Sequence, residues 1–130
     1  MKSRDTLIRL KRFQVDEKRR RVAQIEAMIA EFVRMAADLD REILAEEQRA
    51  GISDPSHFAY PTYARAARTR RDNLKNSTAE LRGQLEEAKV RLEEAIAEHA
   101  KVQTLDGREK SLVESVREPF QLQSLGTARA

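Results

Sequence analysis

The sequence GISDPSH, at residues 51–57, is the only dense cluster of helix-breaking residues in the first two-thirds of the chain. Before it, residues 2–50 contain neither Pro nor Gly and are rich in residues that favour helix. After it, no Pro interrupts residues 63–118. The sequence therefore predicts two long helices joined by one turn.

The ends of the two helices are marked by individual residues. Gly51 suits the position after helix 1, because Gly adopts the left-handed cap conformation without a steric penalty. Asp54 and Pro55 fit an N-cap followed by Pro at the first helical position, but Pro61 lies about one turn later. Helix 2 should therefore start between 55 and 62, and Pro119 should end it. We expect one helical domain at 1–118, with helix 1 at about 3–50, a turn at 51–61, helix 2 at about 62–118 and a flexible C-terminal tail at 119–130.

A heptad repeat of apolar residues runs along both predicted helices, as in coiled coils. In helix 1 the a positions are all apolar: Ile8, Val15, Val22, Ile29, Ala36, Ile43 and Ala50. Its apolar d positions are Ile25, Phe32 and Leu39, so the seam should be strongest between Val22 and Ile43. In helix 2 the stripe is Tyr60, Ala67, Leu74, Leu81, Ala88, Ala95 and Val102. If opposed residue numbers sum to 110, each a position of helix 1 faces a residue of this stripe. A slip of one heptad keeps the pattern, and the loop length favours this register.

Charge supports the antiparallel pairing. Residues 31–47 carry a net charge of −4, and the segment that would face them, 65–75, carries +4. Residues 1–21 carry +6 and would lie beside the acidic side chains of Glu93, Glu94 and Glu98. Such patterning selects partner and orientation in coiled coils. The predicted fold is all-α: a two-helix antiparallel coiled-coil hairpin with a longer, overhanging second helix.

Composition narrows the class of protein. Charged residues make up 36% and aromatic residues 5%, without Trp or Cys, which suits a narrow helix–helix seam rather than a globular core. The N-terminal stretch lacks the apolar region of a signal peptide, and no stretch is apolar over a membrane-spanning length. We therefore expect a cytoplasmic protein. His57 and His99 are the only histidines and lie far apart, and no nucleotide- or zinc-binding motif is present. We expect no catalytic site, metal or cofactor.

Candidate partner-binding residues lie at the two ends of the hairpin. At the terminal end they are Lys11, Lys18, Arg19, Arg20, Arg21, Leu105, Leu112 and Val116, and at the tip they are Ile52, Phe58, Tyr60 and Tyr63. One alternative is that the cations face acidic residues of helix 2 and that the aromatic rings fill the turn. A second is nucleic-acid binding through residues 2–21, which the net charge of only +3 and the lack of interleaved aromatic residues disfavour. The lysines at positions 11 and 18 occupy seam positions, so they either extend past the seam or meet a third element.

The order of these features resembles a known family. The opening MKSRDTLIRLKRFQVDEKRRRVAQIE leads directly into a long helix, which breaks near residues 51–53. A Tyr-x-x-Ala segment follows within Tyr60-Pro61-Thr62-Tyr63-Ala64-Arg65-Ala66, and a second, longer helix comes next. Over residues 1–118 this combination resembles the flagellar export protein FliJ family.

The resemblance implies a function as well as a fold. It implies a non-enzymatic cytoplasmic component of the flagellar type III protein export apparatus, with a coiled coil similar to the stalk of the rotary ATPase γ subunit. Its terminal end would insert in the ring of the export ATPase, and another surface would contact the cytoplasmic part of the export gate membrane protein or export chaperones. Association with the inner membrane would be peripheral, through these partners. The alternative is a generic coiled-coil tether or regulator.

Overall fold

The computed structural model describes the backbone of residues 2–129 and the side chains of residues 3–116. It contains two helices, α1 at Lys2–Ala50 and α2 at Thr62–Arg129. No strand is present in residues 2–129. The two helices pack against each other as a hairpin, which confirms the predicted all-α fold class.

The turn at residues 51–61 begins with a glycine cap. Gly51 has a φ of 70°, the only positive φ among the described residues. Its N–H donates to the carbonyl oxygen of Glu47 at 2.9 Å, and the N–H of Ile52 donates to the same oxygen at 3.3 Å. Both bonds satisfy a carbonyl at the end of α1. The predicted role of Gly51 is confirmed.

Asp54 does not cap α2, so that part of the prediction is wrong. Its Oδ1 accepts from the backbone N–H and the Oγ of Ser56, at 3.0 and 2.8 Å. These bonds close a local turn and lower the pKa of the Asp54 carboxyl, the backbone bond being the main cause. The first helical bond of α2 runs instead from the N–H of Arg65 to the carbonyl of Pro61, at 3.0 Å. The capping preference of Asp was satisfied within the turn, and α2 starts at Thr62.

The predicted end of helix 2 at residue 118 is also wrong, because α2 continues through Pro119 to Arg129. A proline removes one N–H donor and crowds the preceding turn, a local defect that can kink a helix without ending it. The flexibility of the tail at 119–130 stays a prediction, because the side chains of these residues lie outside the described part of the chain.

The chain divides into two compact units. The first, which we call the terminal unit, contains residues 1–18 and 91–130, and the second, the turn unit, contains residues 19–90. The core of the turn unit is a cluster of buried residues, Ile25, Ile29, Leu81 and Ala88, against which Val22, Phe32 and Leu85 pack. Residues that the predicted register places opposite each other, such as Ile29 and Leu81, lie together in this cluster.

Burial extends beyond the predicted strong part of the seam. Toward the turn, Tyr60 and Ala64 are buried. In the terminal unit, Val15 and Ala95 are buried as well. The core cluster lies in the part of the seam predicted to be strongest, Val22 to Ile43. Burial continues on both sides of it because alanine at the seam lets helices approach closely and bury even short side chains.

Ion pairs between the helices follow the predicted charge pattern. In the turn unit the Nη1 of Arg71 lies 3.0 Å from Oδ1 of Asp40, which joins the basic and acidic segments expected to face each other. In the terminal unit Lys11 pairs with Glu98 at 3.0 Å, and Arg4 pairs with Glu109. Opposite charges therefore meet in both units.

Candidate protein-interaction surfaces

Tyr60 lies at the centre of a network that closes the turn. Its ring is only 4% exposed, and its hydroxyl donates to Oε2 of Glu47 at 3.1 Å. The Nε of Arg68 donates to the Tyr60 oxygen at 2.8 Å, and Nη2 of Arg68 donates to the same Glu47 oxygen at 3.3 Å. The hydrogen bond to Tyr60 is the main cause of a raised pKa for Arg68. The network joins the end of α1 to the start of α2.

Two guanidinium groups also lie over the face of the Tyr60 ring. The Cζ atoms of Arg65 and Arg68 are 5.5 and 5.8 Å from the ring centroid, within the range of cation–π attraction. Tyr60 is therefore part of the folded turn and is covered on several sides. The ring fills the turn, as the alternative expected, and it is not accessible to a partner while the turn is folded.

The other predicted residues at the tip are accessible to different degrees. Phe58 is 95% exposed, and its ring stacks on that of His57 with centroids 4.8 Å apart. Tyr63 is half exposed, and its hydroxyl donates to Oε2 of Glu42 at 2.8 Å, which raises the pKa of Tyr63. Ile52 is half-buried. Phe58 is thus the main apolar group that the turn presents to a partner.

The two rings of the turn should respond very differently to substitution. Tyr60→Ala should lower the free energy of unfolding by about 3 kcal/mol, as for other buried aromatic residues, and Tyr60→Phe by about 1 kcal/mol through the lost hydroxyl contacts. Phe58→Ala should change it by less than about 0.5 kcal/mol, because the ring is exposed. Urea denaturation followed by circular dichroism measures all three. Equal losses for Tyr60→Ala and Phe58→Ala would contradict this assignment.

The basic side chains near the N-terminus are only partly neutralised. Lys11 and Arg4 have the acidic partners given above, and Lys18 is half-buried. Among the described side chains, no carboxylate lies within ion-pairing distance of Lys18, Arg19, Arg20 or Arg21. The alternative that acidic residues of helix 2 neutralise the basic block is therefore wrong for these four cations.

The three arginines form what we call the arginine run, and they belong to the turn unit. All three side chains are exposed. An exposed guanidinium without an internal partner retains its full capacity to bind a carboxylate or a phosphate, often through two parallel hydrogen bonds. The run is therefore a candidate site for an anionic partner.

The terminal unit carries an exposed apolar segment on α2. Leu105, Leu112 and Val116 are exposed, as the sequence predicted, and Val116 reaches 76%. Val113 is exposed beside them and was missed. Glu109 pairs with Arg4 close to the start of α1, whereas α2 continues to Arg129. Leu112 and Val116 therefore lie beyond the last ion pair that joins the two helices among the described residues.

The first turns of α1 add exposed apolar residues to the same unit. They are Leu7, Leu10 and Phe13, each roughly half exposed. The heptad search missed them because they lie outside the a and d positions. A separate search for apolar residues at the outer positions could have found them. The terminal unit thus exposes apolar side chains on both of its helices.

The described residues contain neither a metal site nor a membrane-spanning helix. No group of His, Cys, Asp and Glu side chains there is arranged to hold a metal ion. Within the same residues, neither helix has the length and apolar character needed to cross a bilayer.

Comparison with protein-family models, with curated proteins and with solved structures finds no match to this chain.

Proposed function

We propose that this chain is a non-enzymatic component of the flagellar type III protein export apparatus. In this role it is a coiled-coil stalk, and its terminal unit binds inside the ring of the export ATPase. The observation that carries the proposal is the α2 segment of the terminal unit, where Leu112 and Val116 remain exposed beyond the last ion pair to α1. Exposed apolar patches on a protein with so small a core mark binding surfaces.

A ring suits this unit better than a flat partner. A ring contacts an inserted coiled coil from several directions, and the terminal unit has exposed apolar residues on both helices. Leu7, Leu10 and Phe13 lie on α1, and Leu112 and Val116 lie on α2. A flat partner would cover one helix face and leave the others in water. The arginine run would add attraction to acidic groups of the ATPase.

The turn offers a second contact for a different partner. Phe58 is the exposed apolar group there, and Ile52 and Tyr63 lie in the same turn unit with partial exposure. In the proposed function this surface binds the cytoplasmic part of the export gate membrane protein or an export chaperone. The chain would then be cytoplasmic and would reach the inner membrane only through these partners.

The direct test uses the full chain and the export ATPase of the same organism. We expect saturable binding by calorimetry and a faster rate of ATP hydrolysis by the ATPase. Leu112→Asp combined with Val116→Asp should abolish binding, whereas Phe58→Ala should leave it unchanged. The proposal fails if the chain neither binds the ATPase nor changes its rate, or if Phe58→Ala is as harmful as the pair of aspartates.

The arginine run also fits the alternative function, a tether that binds nucleic acid. Binding to phosphates releases counterions, so the affinity of such a complex falls steeply as salt rises. A titration with DNA and RNA at several salt concentrations separates the two functions. Tight, salt-dependent nucleic-acid binding without binding to the ATPase would favour the tether.

A further inference from the structure

A groove between the helices of the turn unit lies outside the surfaces described above. On α1 it is lined by Val33, Ala37 and Asp40, and on α2 by Lys75, Ala79 and Arg82. Buried Ala36 and Thr78 lie beneath it. We call it the alanine groove.

The α1 side of the alanine groove is more apolar than a two-helix hairpin needs. Val33 is 47% exposed and Leu44 is 56% exposed, and Ala30 and Ala37 are exposed on the same face. These residues lie outside the seam, at positions that are usually polar in two-stranded coiled coils. A helix with an apolar arc this wide typically contacts two neighbours rather than one. The hairpin supplies only one of them.

The α2 side of the groove has two unpaired cations. Among the described residues, no carboxylate lies within ion-pairing distance of Lys75 or Arg82. The one acid of the groove, Asp40, already pairs with Arg71. The two cations are one heptad apart, about 10 Å along the helix axis, with Ala79 between them. The groove therefore has an apolar centre and a positive charge at each end.

We propose that the alanine groove binds an amphipathic α-helix of a partner protein that carries two acidic side chains seven residues apart. Alanines at a contact let helix axes approach to about 8 Å, so a helix can seat against both α1 and α2. Its apolar face covers Val33 and Ala37, and its two acids pair with Lys75 and Arg82. The stems of these cations cover the edges of the contact. The result is a local three-helix bundle.

The opposite side of the hairpin provides an internal comparison. A second groove there is lined by Met35, Leu39 and Leu74, with Asp38 and Arg70 at its edges. Asp38 accepts hydrogen bonds from Arg34 and Arg41. Arg70 is the one cation that lines that groove, and it has no ion pair among the described residues. An acidic helix with two charges should therefore prefer the alanine groove. The inference does not rest on the proposed function, because the two share no residue.

The test uses two designed helical peptides of about 20 residues, long enough to form helix in water. They share an apolar face and differ only at two positions seven residues apart, which are Glu in one peptide and Lys in the other. Each carries a nitroxide label, and its binding is followed by the broadening of amide signals of the full ¹⁵N-labelled chain. The acidic peptide should broaden the signals of Ala37 and Ala79, and the Lys peptide should not. Equal broadening by both peptides, or broadening centred on Leu39 and Leu74, would overturn the proposal.

Matched variants separate charge from shape. Lys75→Glu or Arg82→Glu should weaken binding of the acidic peptide roughly fivefold, as for other exposed ion pairs. Arg70→Glu makes the same change in net charge and should leave the affinity unchanged. Ala79→Gln should obstruct the groove, whereas Ala66→Gln, at another exposed position of α2, should not. These sites are exposed on a helix, and circular dichroism checks that each variant is folded. Equal effects of Arg82→Glu and Arg70→Glu would contradict the assigned groove.

Discussion

Replacing Ile25 by alanine should lower the free energy of unfolding by about 3 kcal/mol. Ile25 is 1% exposed and belongs to the central cluster of the turn unit, with Ile29, Leu81 and Ala88. Truncation removes buried methyl groups and leaves a cavity, which the small side chain of Ala88 does not fill. The effect should be large because a two-helix seam has few such residues to share the loss. Urea denaturation followed by circular dichroism gives the difference in stability.

The matched control for this variant is Met28→Ala. Met28 lies one turn from Ile25 on the same helix, but its side chain is 43% exposed. The substitution should change the free energy of unfolding by about 0.5 kcal/mol or less, as at other surface sites. Comparable losses at the two positions would mean that the seam does not run through Ile25.

The second large effect is expected at the arginine run. In the proposed function, changing Arg19, Arg20 and Arg21 together to Glu should weaken binding to the export ATPase roughly a hundredfold, because three attractions to its acidic groups would become repulsions. The stability of the chain should change little, since these side chains lose no internal ion pair. Calorimetry at two salt concentrations measures the loss, which should shrink at high salt.

The control for the arginine run compares single variants with the same change in net charge. Arg70 is an exposed cation of α2 in the same unit, and like the arginine run it has no ion pair among the described residues. Arg70→Glu should leave ATPase binding within a factor of about two, whereas Arg20→Glu should weaken it roughly fivefold. If both variants bind equally weakly, net charge rather than the arginine run controls binding, and that part of the proposed function fails.

The hairpin itself could be predicted from the sequence because its signals are local and periodic. The left-handed conformation of Gly51 follows from the breaker cluster, and the burial of Ile29 and Leu81 follows from the heptads. The start of α2 at about residue 62 was predicted correctly, but the capping role of Asp54 was wrong, because that carboxylate is used within the turn. The effect of Pro119 was misjudged because one missing donor is a weak stop signal beside a long helical sequence.

The candidate surfaces were less predictable than the seam. The order of residues in the sequence placed aromatic residues at the tip. It could not show that Tyr60 is buried and Phe58 exposed, because the orientation of these side chains depends on the path of an irregular turn. The runs of charged residues in the sequence did not show which cations form ion pairs. Lys11 reaches Glu98 across the seam, whereas Arg19 has no carboxylate within ion-pairing distance among the described side chains. Such pairing depends on helix rotation, which a charge count ignores.

The buried network of Glu47, Tyr60 and Arg68 has a kinetic consequence. The turn unit contains this network and most of the buried seam, whereas among the described residues the terminal unit buries Val15 and Ala95. Local opening of a helical pair costs least where the fewest buried contacts break. Local opening therefore starts in the terminal unit and stops at the network of the turn. A partner that binds the terminal unit can replace helix–helix contacts by its own contacts step by step, while the turn preserves the register for reclosure.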